Sequence, residues 1–254
     1  MRSFRVLVIC LGVAVALLVS AASAVVLYKE RAAIMDRLGF AKAPRLEPDL
    51  RDTQRLWAKR LLEGGYILHF RHAERDKLLF IHLFDSLEVG ALDARAEAID
   101  AGETYYADIV CLNPHGKEQA RGMADVLKVV GFPTGPVISS PSCRARQTGE
   151  MAFGSLDEIS NALYYAQQFF EDRQAQMEAI RSLLQRIPIE PGKNTITTGH
   201  SGLIASSDLA NKDAAPSVDE TGFHVISRQE DGTLRYEYSF KSFVVFTNAL
   251  IEAR

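Results

Sequence analysis

One short stretch constrains the fold more than any other part of this chain. The apolar run Tyr66–Phe70 follows Gly64-Gly65 and ends abruptly in Arg71-His72-Ala73-Glu74. A buried parallel strand with charged residues at its carboxyl end is typical of open α/β sheets, which place ligand sites there. An arginine beside a histidine indicates an anionic ligand, because guanidinium binds phosphate oxygens and imidazole is a nucleophile near neutral pH. Taken alone, the pair is better explained as a capped strand end with two solvated side chains.

The amino terminus is strongly apolar. Val6–Tyr28 runs for 23 residues without a charged side chain, directly after Arg2 and Arg5. This length exceeds the roughly 20 residues that cross a bilayer and the roughly 7–15 apolar residues of a cleaved signal peptide. We therefore predict one N-terminal transmembrane or signal helix within residues 1–30. A linker over residues 31–52 and a globular domain over residues 53–254 follow it.

Two outcomes are open for this segment, an uncleaved anchor and a cleaved signal peptide. Cleavage is the alternative because Ala22-Ser23-Ala24 fits a small-x-small site. Arg2 and Arg5 favour a cytoplasmic amino terminus, so both outcomes export the domain. In a bacterium, the predicted location is the inner membrane with the domain facing the periplasm, or the periplasm itself after cleavage. The membrane is then a partner through the N-terminal helix.

Composition limits the classes of ligand. The net charge of -3 and the absence of a basic stripe give no reason to expect a nucleic-acid partner. No cluster of cysteine and histidine has metal-ligand spacing, so no metal site is predicted. Cys111 and Cys143 lie in the exported part, where an oxidising compartment permits a disulfide. The sequence leaves open whether their Cα atoms come close enough to form one.

Helical and strand patterns alternate along the domain. This alternation predicts an α/β fold, a three-layer α/β/α sandwich with a mostly parallel central sheet. The predicted helices cover Thr53–Leu62, Lys117–Val130, Arg144–Met151, Phe170–Arg186 and a stretch from Gly202 through Leu209. The predicted strands cover Tyr66–Phe70, Val137–Ser140, Ile159–Tyr165, Asn194–Thr198, Phe223–Ser227, Leu234–Tyr238 and Phe243–Phe246. An insertion over Leu78–Asp108 is expected to be helix plus loop and to shape substrate choice.

Residues that can bind an anion or act as a nucleophile lie at the carboxyl ends of three of these strands. They are Arg71-His72, the segment Ser140–Arg144, and Gly199-His200. Because the carboxyl ends of neighbouring parallel strands share one edge of a sheet, these groups are expected to converge. Two arginines and two histidines around one anion would form a phosphate pocket that contains a nucleophile.

Four motifs in this order resemble the histidine phosphatase superfamily, the phosphoglycerate-mutase-like enzymes. They are Arg71-His-Ala-Glu74, Leu112-Asn-Pro-His-Gly-Lys-Glu-Gln-Ala120, Ser140-Pro-Ser-Cys-Arg-Ala-Arg-Gln-Thr148 and Thr198-Gly-His-Ser201. The resemblance covers most of the exported domain, from about Gly65 to the terminal strands. It implies a histidine-phosphatase-like catalytic domain that needs no cofactor.

The resemblance also implies roles for single residues. His72 matches the histidine that attacks phosphorus, and Arg71, Arg144 and His200 match the groups that hold the phosphoryl oxygens. Glu74 is a further candidate for substrate binding. Because Ser201 follows His200, this chain resembles the branch whose general acid lies elsewhere, and Glu171 is the candidate for that acid.

These features predict a phosphomonoester hydrolase that acts through a phosphohistidine intermediate. Its substrate would be a phosphorylated small molecule, an envelope glycan or lipid, or a peptide. Two alternatives stay open: a phosphate-recognising binding module with lost catalysis, and a phosphoglycerate-type mutase.

Glu220 and His224 are weaker candidates for the site. The resemblance implies that a loop late in the chain lies near the site, and both residues are close to that part of the sequence. His69 is expected in the core, and Tyr164-Tyr165 with Phe169-Phe170 is expected to influence substrate choice.

Overall fold

The computed structural model of the protein describes residues 48–77, 110–165 and 169–253. The predicted N-terminal helix, most of the predicted linker and the insertion over Leu78–Asp108 lie outside these residues. Within the described ranges, no helix is both long and apolar enough to cross a bilayer.

A mixed sheet of six strands forms the centre of the fold. The strands are β1 Ile67–Arg71, β2 Thr134–Ser139, β3 Glu158–Ile159, β4 Asn194–Gly199, β5 Phe223–Arg228 and β6 Leu234–Phe240. Their order across the sheet is β3-β2-β4-β1-β5-β6. The pairs from β3 to β1 are parallel, whereas β5 is antiparallel to both β1 and β6. The sheet is therefore mostly parallel, as predicted, with β5 as the reversed strand.

Helices precede, connect and follow these strands. They are α1 Pro48–Glu63, α2 Pro114–Val130, α3 Cys143–Phe153, α4 Arg173–Arg186, α5 Leu203–Ser206 and α6 Phe243–Ala253. Short 3-10 turns cover Asn161–Leu163 and Lys212–Ala214. The helix α1 begins before the predicted start at Thr53, so the end of the predicted linker is helical.

Two apolar clusters cover opposite faces of the sheet. Adjacent strand residues alternate between them: Leu68 belongs to one cluster and Ile67 to the other, and Val137 and Ile138 divide in the same way. Side chains of α1, α2 and α6 pack in the first cluster, and those of α4 and α5 pack in the second. This alternation follows from the two-residue period of a strand. It gives the predicted three layers.

The segment Phe243–Phe246 was predicted as a strand, and this prediction is wrong. It is the first turn of α6, in which Phe243, Phe246 and Leu250 are buried in the first apolar cluster. Phe and Val favour strands locally, but residues three and four apart share one face of a helix. Burial of that face therefore decides the conformation.

Other predicted boundaries also need correction. The strand expected over Ile159–Tyr165 is reduced to Glu158–Ile159, and a 3-10 turn follows. The helix α4 starts at Arg173 rather than Phe170, because Asp172 caps it by accepting a hydrogen bond from the Ala175 amide at 2.8 Å. The helix after Gly202 ends at Ser206.

Candidate active site

The sheet brings the predicted site residues to one edge. In the register of β1 and β4, Arg71 lies opposite Gly199. The chain stays paired beyond the strands, because the His72 amide donates to the Gly199 carbonyl at 3.0 Å and the Ser140 amide donates to the Thr198 carbonyl at 2.8 Å. The strand ends that carry Arg71-His72, Ser140–Arg144 and His200 therefore adjoin, as the parallel topology predicts.

The ring of His72 is held in one tautomer. It is buried, and its Nδ1 lies 2.7 Å from the Ala73 carbonyl oxygen. Since a carbonyl only accepts, Nδ1 carries the proton and the lone pair is on Nε2. Burial, with the positive charge of Arg144, lowers the pKa of His72 well below its ordinary value. A neutral imidazole with a free lone pair on Nε2 is the form that a nucleophile requires.

His200 lies beside His72. The two rings are 5.3 Å apart between centroids and nearly perpendicular. Its Nε2 is 3.3 Å from the Ser142 hydroxyl oxygen. Burial, with the nearby Arg144 charge, lowers the pKa of His200 well below its ordinary value, so this ring is neutral as well.

Arg144 lies in the first turn of α3 and is almost fully buried, at 2% exposure. Its Nη1 donates to the Val110 carbonyl at 3.4 Å, and its guanidinium lies 5.7 Å from the centroid of the Tyr165 ring. The amino end of a helix favours anions, so α3 adds to the positive potential of this charge.

A disulfide between Cys111 and Cys143 joins the two segments around Arg144. Their Cα atoms are 4.8 Å apart, which answers the question that the sequence left open. Cys143 is the first residue of α3, and Cys111 follows Val110, whose carbonyl accepts from Arg144. The bond therefore fixes the backbone on both sides of that guanidinium.

Arg71 is oriented by a late loop of the chain. Its Nη1 donates to the Val218 carbonyl at 2.8 Å, and its Nη2 donates to the Glu220 carboxylate at 2.7 Å. Glu220, a weaker candidate from the sequence, is thus brought to a site residue. His224, the other weak candidate, is buried in β5 and stacks on His69 instead.

The second motif supports the loop that follows His72. Gln119 accepts a hydrogen bond from the Glu74 amide at 2.9 Å, and Gly116 packs against the same backbone. A Cβ atom on Gly116 would lie 2.0 Å from the Glu74 carbonyl oxygen, so only glycine fits there. The motif therefore holds the backbone of Glu74, two residues after His72, in place.

The carboxylate of Glu74 contacts this motif. It accepts hydrogen bonds from His115 at 2.9 Å and Asn113 at 3.3 Å, and the first of these chiefly lowers its pKa. Contact with substrate stays a prediction for Glu74.

The predicted acid, Glu171, is exposed in the turn before α4. Its neighbour Asp172 caps that helix by accepting a hydrogen bond from the Ala175 amide. The role of Glu171 as the acid stays a prediction.

The aromatic pair Tyr164-Tyr165 lies closer to the site than Glu171. The ring of Tyr165 lies edge-on to His200, with centroids 4.7 Å apart, and Tyr164 contacts Tyr165.

Sequence reasoning missed Ser142 as an individual site residue. It occupies the N-cap position of α3, yet its side chain makes no capping hydrogen bond. The hydroxyl contacts His200 instead. A serine before Arg144 signals a cap in the sequence, and only the fold shows that it supports a histidine.

No group of three or more histidine, cysteine or carboxylate side chains within residues 48–77, 110–165 and 169–253 is arranged to hold a metal ion. No protein-family model matches the sequence, and no curated protein matches it either.

Several solved structures are similar to this chain. The protein histidine phosphatase SixA with tungstate has 17% identity and a TM-score of 0.45, over 69% of this chain and 96% of that chain. A mycobacterial glucosyl-3-phosphoglycerate phosphatase with VO3 has 16% identity and a TM-score of 0.45, over 68% and 97%. A structure described as mycobacterial hydrolase 1 has 16% identity and a TM-score of 0.47, over 69% and 97%.

With identities and TM-scores this low, function is inferred from this chain's own residues and contacts. Phosphatases are among the solved structures to which this chain is similar, and the likeness of its four motifs to the histidine phosphatase superfamily stays a prediction.

Proposed function

We propose that this protein hydrolyses phosphomonoesters through a phosphohistidine formed on His72. The observation that carries the proposal is the tautomer of His72, which places a lone pair on Nε2 of a neutral ring. Arg71, Arg144 and His200 adjoin this ring and supply donors for the phosphoryl oxygens. Donors around the equatorial oxygens and an in-line nucleophile are what phosphoryl transfer needs.

The reaction has two steps. Nε2 of His72 forms a bond to phosphorus while the ester P–O bond breaks, and the leaving oxygen takes a proton. Water then attacks the phosphohistidine, which breaks the N–P bond and releases inorganic phosphate. Glu171 is the proposed donor of the first proton, and its carboxylate then takes the proton that the attacking water loses. Esters with good leaving groups need that donor least.

The substrate class is proposed from the predicted export of the domain. It comprises phosphorylated small molecules, envelope glycans or lipids, and peptides, reached by a protein anchored in the inner membrane and facing the periplasm. Neighbouring Tyr165 gives the pocket an aromatic wall.

A binding module with lost catalysis is the second candidate. The exposed position of Glu171 favours it, since a proton donor is expected to reach the leaving group. A phosphoglycerate-type mutase is less favoured, because its substrates are cytosolic whereas this domain is predicted to be exported.

The test measures turnover of p-nitrophenyl phosphate by the full chain between pH 4 and 8, beside a His72→Ala variant. We expect turnover by the unaltered chain and none by the variant. A rapid quench should also show a gain of one phosphoryl group, labile to acid, on the unaltered chain alone. A folded chain that binds phosphate without turnover would support the binding module instead.

A further inference from the structure

The segment Val218–Gly222 accepts hydrogen bonds from the side chain of Arg71. Arg71 donates through Nη1 to the Val218 carbonyl and through Nη2 to the Glu220 carboxylate. A guanidinium has five N–H donors, so these two contacts leave donors for phosphoryl oxygens. Two contacts on different nitrogens fix both the direction and the plane of the group.

The same segment is bonded to the backbone of the nucleophile. The Thr221 amide donates to the His72 carbonyl at 3.3 Å, and the Gly222 carbonyl accepts from the Arg71 amide at 2.9 Å. Val218–Gly222 is therefore attached to the residues of the site, and its contact with Arg71 is part of that attachment.

The backbone of Thr221 is strained. Its φ is 64°, a left-handed conformation that is costly for a β-branched residue. Its hydroxyl accepts from the Phe243 amide at 3.3 Å, and its amide contacts His72, so both neighbours maintain this conformation. Strain kept in place by its surroundings is typical of functional sites. Here the strained residue directly follows Glu220, which contacts Arg71.

We propose that Glu220 is a positioning residue that orients the Arg71 guanidinium toward the transferring phosphoryl group. This inference rests on the proposed function and adds a residue to its machinery. The ion pair is partly buried, with 26% exposure for the Arg71 side chain and 23% for Glu220. Glu220 also offsets one of the two arginine charges beside the neutral His72 and His200.

Orientation of Arg71 and offset of its charge affect different kinetic constants. Loss of the carboxylate releases Arg71 from its orientation, which lowers kcat because the guanidinium then meets the transition state less well. The same loss removes a negative charge near the anion, which opposes any weakening of substrate binding. KM and the inhibition constant for inorganic phosphate should therefore change little.

The experiment compares Glu220→Gln, Glu220→Asp and the unaltered full chain. The matched control is Glu158→Gln, since Glu158 also pairs with an arginine, Arg186, on the surface. Each protein is assayed with p-nitrophenyl phosphate and with an alkyl phosphate, glycerol phosphate. Thermal unfolding confirms that each variant is folded.

We expect Glu220→Gln to lower kcat about 10–100-fold, the range of a charge-assisted hydrogen bond, equally for both esters. KM and the phosphate inhibition constant should stay within about threefold, by the charge argument above. Glu220→Asp keeps the charge at a shorter reach and should be intermediate. Glu158→Gln should match the unaltered chain.

Unchanged kcat in a folded Glu220→Gln variant would overturn the inference and leave the proposed function standing. A loss confined to glycerol phosphate would also overturn it, since that pattern identifies a proton donor. If Glu220→Gln does not fold, Glu220→Asp decides, because full activity with the shorter side chain contradicts positioning. Failure of the proposed function is seen separately, as an unaltered chain that turns over neither ester.

Discussion

His69 and His224 lie side by side within the sheet, whereas His72 and His200 lie side by side just beyond its edge. The first two rings are nearly parallel, 6.4 Å apart between centroids, and the second two are nearly perpendicular at 5.3 Å. All four side chains are buried. Burial lowers the pKa of every one of them.

The pairs differ in what their ring nitrogens contact. The Nε2 of His69 lies 3.1 Å from the His200 carbonyl and must donate to it, so Thr197 donates to Nδ1 at 2.9 Å. Both nitrogens of this ring are therefore used in the fold. The backbone contact of His72 uses Nδ1 and leaves the lone pair on Nε2, near the Arg144 and Arg71 charges that also lower its pKa.

A lowered pKa and deep burial thus do not distinguish the proposed catalytic pair from the interior pair. The tautomer and the cations around the ring distinguish the two pairs. His69 joins the two pairs, because its hydrogen bond holds the backbone of His200.

The largest effect is expected at the sheet edge. His72→Asn replaces Nδ1–H with an amide that can still donate to the Ala73 carbonyl, but it removes the proposed nucleophile. We expect kcat to fall by about 10³-fold or more, while the free energy of unfolding changes by no more than about 1 kcal/mol. Steady-state kinetics and urea unfolding check the two halves. Retained turnover would mean that His72 is not the nucleophile.

The next effect is a loss of stability in acid. The folded-state pKa is about 4 for His69 and about 3 for His224, below the ordinary 6.5. Between pH 6.5 and 4 the unfolded chain therefore binds more protons than the folded chain, so stability falls as pH falls. The two residues together should remove up to about 2.7 kcal/mol per pH unit.

Urea unfolding between pH 7 and 4.5 measures this slope. A His224→Gln variant, although less stable at pH 7, should show a shallower slope because one of the four buried histidines with a lowered pKa is gone. An equal slope in both proteins would show that His224 is protonated equally in the folded and unfolded states.

His69→Asn tests the interior pair. It removes the hydrogen bond to the His200 carbonyl and leaves space in the core, so unfolding should become easier by about 2–4 kcal/mol. We expect kcat to fall less than about tenfold, because the proposed nucleophile and both arginines stay in place. Loss of turnover as large as that of His72→Asn, in a folded protein, would remove the distinction between the pairs.

The smallest effect is expected at Ser142. Ser142→Ala removes one neutral hydrogen bond to His200, which is worth about 1 kcal/mol or about fivefold in kcat/KM. Ser160→Ala is the matched control, since Ser160 occupies an N-cap position and also makes no capping hydrogen bond. Equal kcat/KM in Ser142→Ala and the control would show that the His200 contact has no kinetic role.

The site was predictable where it depends on topology. Parallel strands bring their carboxyl ends to one edge, so residues after β1, β2 and β4 could be assigned to one pocket from the sequence. Arg71, His72, Arg144 and His200 do adjoin. Contacts between residues far apart in the sequence could not be predicted in this way. Ser142 contacts His200, 58 positions away, and Glu220 contacts Arg71, 149 positions away.

The fold was predictable where the hydrophobic period matched the final packing. The prediction from the sequence failed at Phe243–Phe246. Two aromatic and two β-branched residues favour a strand locally, and only burial of one helical face in the core reverses that preference. It also failed after Ile159, where the pairing with β2 covers only two residues and the chain turns into a 3-10 helix.

The bond between Cys111 and Cys143 turns part of the chain into a closed ring that contains α2 and β2. In the chain-entropy model, closing a ring with a sequence separation of 32 restricts the unfolded chain by roughly 3–4 kcal/mol. Glutathione and thioredoxin keep thiols reduced in the cytosol, so the ring closes durably only where oxidants are present. The covalent support of the Arg144 backbone is therefore linked to oxidation, and a chain retained in the cytosol would hold Arg144 on a helix without that bond.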